Sequence, residues 1–128
     1  MMNILYVALG GALGACGRYA VGLLSARLFP ETAFPVGTFI ANATGGLLMG
    51  LVMGWLSFRL IGAEPLRLFL AVGVLGGFTT FSSFSLEALT LIKADRWALA
   101  GSYITASVIV SIAAVFLGLV IARKLFAV

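Results

Sequence analysis

The sequence predicts an all-α integral membrane protein of four transmembrane helices, the third of them broken near the bilayer midplane. Composition is the first ground: of 128 residues, 62% are hydrophobic and 9% charged, and the mean hydropathy is +1.20. A soluble surface carries far more charge than that. The second ground is the spacing of the charges, which leaves uncharged runs at 1–17, 32–58, 68–86 and 97–122. Each crosses, or nearly crosses, a hydrocarbon core that takes roughly 20 helical residues. The third is a cluster of glycines and hydroxyls in the middle of the third run, where an unbroken helix is hard to build.

Taken in order, the spans fall at about 3–24, 35–58, 67–91 and 97–122 of a single transmembrane domain covering residues 1–128. The first reaches spanning length only by continuing past Arg18, which puts that base in the far half of the helix. No Lys or Arg precedes its apolar run, so it does not read as a cleaved signal peptide. The connections, 25–34, 59–66 and 93–96, are too short to hold a domain of their own. Pro30 and Pro35 punctuate the first and Pro65 the second, each near a charge, as suits helix ends at the membrane interface. Trp97 and Tyr6 suit anchoring at that interface. The glycines fall in small-xxx-small pairs, Gly10 with Gly14, Gly46 with Gly50 and Gly54, and Gly73 with Gly77. Such pairs let membrane helices approach closely.

Composition also closes doors. There is no histidine and one cysteine, Cys16, so no intrachain disulfide and no zinc or haem constellation is expected. Cys16 reads as a small packing residue of the first helix. The eight bases are scattered singly at helix ends, so the net charge of +4 points to lipid headgroups and topology and not to nucleic acid. An even number of spans puts both termini and the second connection on one side, with Arg59, Arg67, Arg123 and Lys124. The other side carries Arg27, Lys93 and Arg96, with Arg18 in the adjacent half-helix. This balance removes the bias on which fixed orientation depends. The hypothesis that follows is insertion in both orientations and an antiparallel, dual-topology homodimer. Four helices about 10 Å across also pack without a lumen, so a transport path would draw on two subunits.

The candidate functional residues are the polar ones that the membrane makes expensive. Thr38 and Asn42 stand one turn apart on the second span. The Asn42 carboxamide either glues helices together or meets a permeating species, and its two N–H donors suit an anion. In the third span, Gly76-Gly77-Phe78-Thr79-Thr80-Phe81-Ser82-Ser83-Phe84 makes a poor helix. Irregular backbone at that depth belongs in protein or against a polar cavity, and its freed carbonyls suit a cation. Phe81 and Phe84 share a face beside Ser82, Ser83 and Ser85, either as packing or as positive ring edges offered to an anion. Glu87, a turn further on, is either a proton relay or the partner of a base or hydroxyl. Tyr103, Ser107 and Ser111 recur every four residues and form a hydroxyl stripe, read as a wet wall.

Arg18 after Gly10-Gly11-Ala12-Leu13-Gly14-Ala15-Cys16-Gly17, the segment Gly37-Thr38-x-x-Ala41-Asn42-x-x-Gly45, and the third-span motif together resemble the Fluc family of fluoride channels, also called CrcB. The resemblance covers essentially the whole chain, and the third-span motif is its specific part. It implies a bacterial inner-membrane, multi-pass channel and no enzyme: a dual-topology homodimer with two antiparallel pores through which fluoride leaves the cell. By the same resemblance, Phe81 and Phe84 line the pores and the Asn42 side chain reaches the ion. Gly76 and Thr79 give backbone carbonyls to a structural sodium ion at the dimer centre. Thr38, Ser82, Ser83, Tyr103, Ser107 and Ser111 match the polar lining, and Arg18 a base near a vestibule. Ser83 stands where a threonine is more usual, which keeps the hydroxyl.

The residues support such a mechanism on their own chemistry. Fluoride holds water tightly, so a selective pore must replace that water with donors, here amide, hydroxyls and ring edges. The absence of a cationic side chain at the narrow part suits release of the ion. Two rivals are expected to differ in what they need. A proton-coupled exporter of the small multidrug-resistance kind needs a membrane carboxylate, for which Glu87 is the candidate. A non-transporting packing subunit needs the glycines but leaves the helix break unexplained.

Overall fold

The computed structural model describes residues 1–58 and 63–126; Arg59, counted above on the terminal side, lies outside them. Among the described residues there is no strand, and four segments are long and apolar enough to cross a membrane. They are α1 (Met2–Leu28), α2 (Val36–Leu56), a composite third span (Glu64–Lys93) and α6 (Trp97–Phe126). At 1.5 Å per residue even the shortest, the 21 residues of α2, reaches roughly 30 Å. Helix α1 runs uninterrupted through Arg18.

The third span is built in pieces. A turn of α3 (Glu64–Arg67) opens on Pro65, where the missing N–H costs nothing, and is closed by an exposed Glu64–Arg67 ion pair at 2.9 Å. A wide π-helical stretch (Leu68–Leu75) follows, then α4 (Gly76–Phe78), two extended residues, and α5 (Phe81–Lys93). The predicted break is thus present at Thr79 and Thr80. The π stretch before it is a finding that the apolar Leu68–Leu75 sequence does not announce. Between α5 and α6 the chain turns sharply on Asp95, whose φ of 56° closes the helix end. There the Arg96 N–H donates to the Leu91 carbonyl at 3.0 Å.

Glycine sets the packing. Gly50 lies against Val115 and Gly118, and Gly118 against Leu47 and Gly50, so α2 and α6 meet backbone to backbone. Gly10 and Gly14 do the same for α1 against the third span, meeting Gly73, Val74 and Phe78. α5 leans instead on the start of α6, through Phe84, Ala88, Leu91, Ala100 and Tyr103. The core is mostly small residues, while Leu9, Leu13, Ile109, Ile112 and Phe116 face outward. That inversion of a soluble protein suits a surface solvated by lipid or by a second copy. Cys16 is exposed, so it does not pack within the chain as the sequence suggested; its neighbours Gly14 and Gly17 are turned to the third span instead.

Candidate functional site

The site begins where helix ends. Thr79 (φ −81°, ψ 156°) and Thr80 (φ −152°, ψ 126°) are extended, and the N–H and carbonyl of Thr80 are taken up by a side chain from another helix. Asn42 of α2 pairs with Thr80 on both sides: its Nδ2 donates to the Thr80 carbonyl at 2.9 Å, and the Thr80 N–H donates to its Oδ1 at 2.8 Å. The carboxamide stands in for one rung of a sheet ladder, and this satisfies polar backbone that lipid would leave bare. Thr80 then caps α5, its Oγ1 accepting the Ser83 N–H at 3.2 Å. Arg18 of α1 donates through Nε to the Gly77 carbonyl at 3.2 Å.

These bonds bear on which backbone groups the break leaves free. In a continuous helix the Thr80 N–H would serve Gly76 and the Ser83 N–H would serve Thr79. Both donors are diverted, to Asn42 and to the Thr80 hydroxyl. The carbonyls of Gly76 and Thr79 are thus among those of residues 76–79 that lose their helical donors, and Gly76 is exposed, where a Cβ on it would meet only the Ala71 carbonyl, at 3.6 Å. Thr79 itself fits only because Gly45 faces its methyl group.

Beside the break lies a cleft of about 400 Å³ lined by Asn42, Thr80, Phe81, Phe84, Ser107 and Ser111 together with apolar residues of α2 and α6. None of its lining residues is charged. The Phe81 and Phe84 rings stand 5.5 Å apart, so the shared face predicted for them is real. They differ in burial: Phe81 is 78% exposed and Phe84 8%. The Ser107 hydroxyl is buried, makes no hydrogen bond of full geometry, and lies within interaction reach of the Tyr103 hydroxyl.

A second, smaller recess of about 240 Å³ opens near the α1–α2 connection, lined by Ser25, Thr32, Phe34, Thr38 and Glu87 among others. Both Glu87 oxygens are occupied. Thr38 Oγ1 donates to Oε1 and the Tyr103 hydroxyl to Oε2, each at 2.7 Å. Of the two readings of Glu87, the structure therefore shows a hydroxyl-bonded carboxylate. Tyr103 is fully buried, its ring between Phe84 at 5.3 Å and Phe34 at 5.2 Å, and so stands between the two recesses.

The predicted residues thus divide. Asn42, Phe81, Phe84, Ser107 and Ser111 meet in one cleft, with Thr79 at its edge. Thr38 and Tyr103 belong to the Glu87 cluster. Ser82 and Ser83 line neither recess; their hydroxyls turn to Thr80 Oγ1 at 3.3 and 3.2 Å. Arg18 lines neither recess and reaches the break. Thr80 and Phe34 were missed as individuals. A Thr just before the first residue of a helix, its hydroxyl placed to accept the N–H three residues on, is a cap signal that would have found Thr80; nothing local marks Phe34.

With this geometry in view, comparison with known proteins is specific. A family model described as CrcB-like protein, Camphor Resistance (CrcB), matches residues 5–119. A protein of Caulobacter sp. (strain K31) named fluoride-specific ion channel FluC is 55% identical over 130 residues, covering 100% of each chain. Proteins of the same name from Hyphomonas neptunium, 49% identical over 128 residues, and Agrobacterium fabrum, 51% over 126 residues, cover 99% and 98% of this chain and 100% of their own.

Proposed function

The chain belongs to the CrcB-like family, and from that premise we propose that it is a fluoride-selective channel, a multi-pass protein of the membrane that in bacteria is the inner membrane. In this reading it conducts and does not catalyse. Fluoride leaves the cytoplasm passively through two antiparallel pores of a dual-topology homodimer, which gives resistance to fluoride that entered as the weak acid HF.

The observation that carries this reading is the uncharged cleft beside the helix break, where the amide of Asn42, the Ser107 hydroxyl and the edges of Phe81 and Phe84 converge. Asn42 spends one N–H on Thr80 and keeps the second for the ion. Ring edges and hydroxyls replace fluoride's water without holding it as tightly as a fixed cation would. Phe81 is open on the single chain, so the wall opposite it comes from a second copy. Thr38, Ser82, Ser83, Tyr103 and Ser111 complete the polar lining of the dimer in the same proposal, and Arg18 brings positive charge toward a vestibule.

A sodium ion at the dimer centre is part of the proposal. The Gly76 and Thr79 carbonyls fit it, because their helical donors are diverted and Gly76 leaves room for a second chain to approach. When bound there, sodium supplies a fixed positive charge between the pores. The proton-coupled exporter is not favoured: such a carboxylate must exchange partners freely, and both oxygens of Glu87 are engaged by hydroxyls.

The purified protein in liposomes is expected to release fluoride rapidly, read with a fluoride electrode, without a proton gradient and with strong exclusion of chloride. Comparable chloride flux would refute the selectivity, and flux that collapses in Glu87→Gln but survives Phe81→Ile would restore the exporter.

A further inference from the structure

A base near a vestibule acts by its charge, yet the contact Arg18 makes is through one particular atom. Its Nε donates at 3.2 Å to the Gly77 carbonyl, 59 residues away in sequence, and both residues are half-buried. In an unbroken helix that carbonyl would receive the Phe81 N–H. The extended Thr79–Thr80 pair carries Phe81 out of reach, and α5 starts afresh at Phe81.

The approach is built into α1. Gly11, Gly14 and Gly17 run along one side of that helix toward the break. A Cβ on Gly77 would meet the Gly11 carbonyl at 2.6 Å, one on Gly14 would run into Val74 and the Phe78 N–H, and one on Gly17 would touch the Phe78 ring at 3.4 Å. The next residue along is Arg18. Only at such a helix separation does the middle of an arginine side chain, and not merely its tip, reach the carbonyl of the neighbouring backbone.

We propose that Arg18 is a positioning residue of the channel: its Nε–H on the Gly77 carbonyl, together with the Asn42 carboxamide on Thr80, holds the third-span break in place. Two side chains from two different helices then clasp the break, Arg18 before it at Gly77 and Asn42 within it at Thr80. Without the Arg18 donor, Gly77 joins the unpaired carbonyls. The break gains freedom to re-wind or shift, and the Phe81 ring that follows it loses its fixed place beside Phe84. This rests on the channel reading for its functional readout but not for the bond.

Two substitutions separate the donor from the charge. Arg18→Gln keeps an N–H at the position that Nε occupies, since the two side chains place that nitrogen the same number of bonds from Cα, and removes the charge. Arg18→Lys keeps the charge and puts a methylene where Nε stood. Fluoride efflux from liposomes is measured for both at about 1 M salt of an impermeant anion, where the screening length is roughly 3 Å and a mouth charge no longer concentrates ions. Amide hydrogen exchange over residues 79–83 is followed in parallel on the same detergent-solubilised proteins. The Gln variant is expected to conduct at least tenfold faster than the Lys variant and to keep slow exchange at Thr80 and Ser83, while the Lys variant exchanges faster there. A Lys variant that equals or exceeds the Gln variant, in flux, in exchange protection or in yield of folded protein, overturns the proposal. If fluoride flux is absent even from the parent protein, the channel reading fails, and the exchange ordering alone decides the role of Arg18.

Discussion

At the scale of single residues, the two phenylalanines of the cleft are chemically identical and structurally unequal. Phe84 is part of the packed cluster with Ala88, Leu91 and Tyr103, and its ring pairs with both Phe81 and Tyr103. Phe81 pairs with Phe84 alone and is otherwise open. Replacing Phe81 by Ile is therefore expected to cut fluoride flux at least tenfold while leaving the thermal midpoint in detergent unchanged. Phe84→Ile is expected to cut flux and also to lower the midpoint, the lost ring pairing with Tyr103 alone being worth about 0.5–1.5 kcal/mol. Equal destabilisation by both, or dispersal of the dimer by Phe81→Ile, would show that Phe81 is a packing residue. Asn42 shows the same doubleness within one side chain. Its position promised either a helix–helix bond or an ion contact, and its carboxamide has enough groups to make the first with one N–H and its oxygen and still offer the other N–H to the cleft.

At the scale of elements, what could be read from sequence was whatever depends on a local rule. The four spans follow from the spacing of charges, and the break follows from two glycines and four hydroxyls where a helix should be strongest. The π-helical stretch ahead of it was not legible, because Leu68–Leu75 is ordinary apolar sequence and its wide turns answer to packing against α1. The turn of Ser82 and Ser83 away from the cleft of the single chain was hidden for a related reason. A helix face can be counted from sequence, but the Thr80 hydroxyl to which both serines turn is presented only once the chain has broken. The glycine repeats were legible as close packing, and they allow a test. A Cβ on Gly50 would collide with the Val115 carbonyl and lie 3.0 Å from Gly118, whereas one on Gly101 meets nothing within 4 Å. Gly50→Ala should separate α2 from α6 and cost about 1–3 kcal/mol, as overpacking does. Gly101→Ala should be neutral or slightly stabilising through helix propensity. Thermal midpoints of the two variants in one detergent make the comparison; equal midpoints would mean that the α2–α6 contact is looser than these distances require.

At the scale of the whole molecule, the proposed dimer makes the cleft a half-site. Its Phe81 side is open, Gly76 is exposed, and large apolar residues cover the outside of α1 and α6. An antiparallel second copy closes such a half-site twice by one symmetric contact, but it requires that the same chain insert in both orientations. Charge permits this. Among the described residues Arg67, Arg123 and Lys124 lie toward the terminal side, and Arg27, Lys93 and Arg96 toward the other with Arg18 behind them. Orientation responds to Lys and Arg counts near the span ends, so a near-balance is easily tipped. Reporters that are active on only one side of the membrane, fused to the C-terminus, should both give signal in the parent chain. Three lysines appended at the C-terminus should silence the reporter for the outer side and, by removing one of the two orientations, reduce cellular fluoride efflux. Three lysines introduced instead in the α1–α2 connection should do the opposite to the reporter and the same to efflux. Co-expressing the two biased chains should restore efflux that neither supports alone, because each then supplies the orientation that the other lacks. Signal from a single side in the parent, or full efflux from either biased chain by itself, would mean that the half-site is closed by a parallel partner or by none.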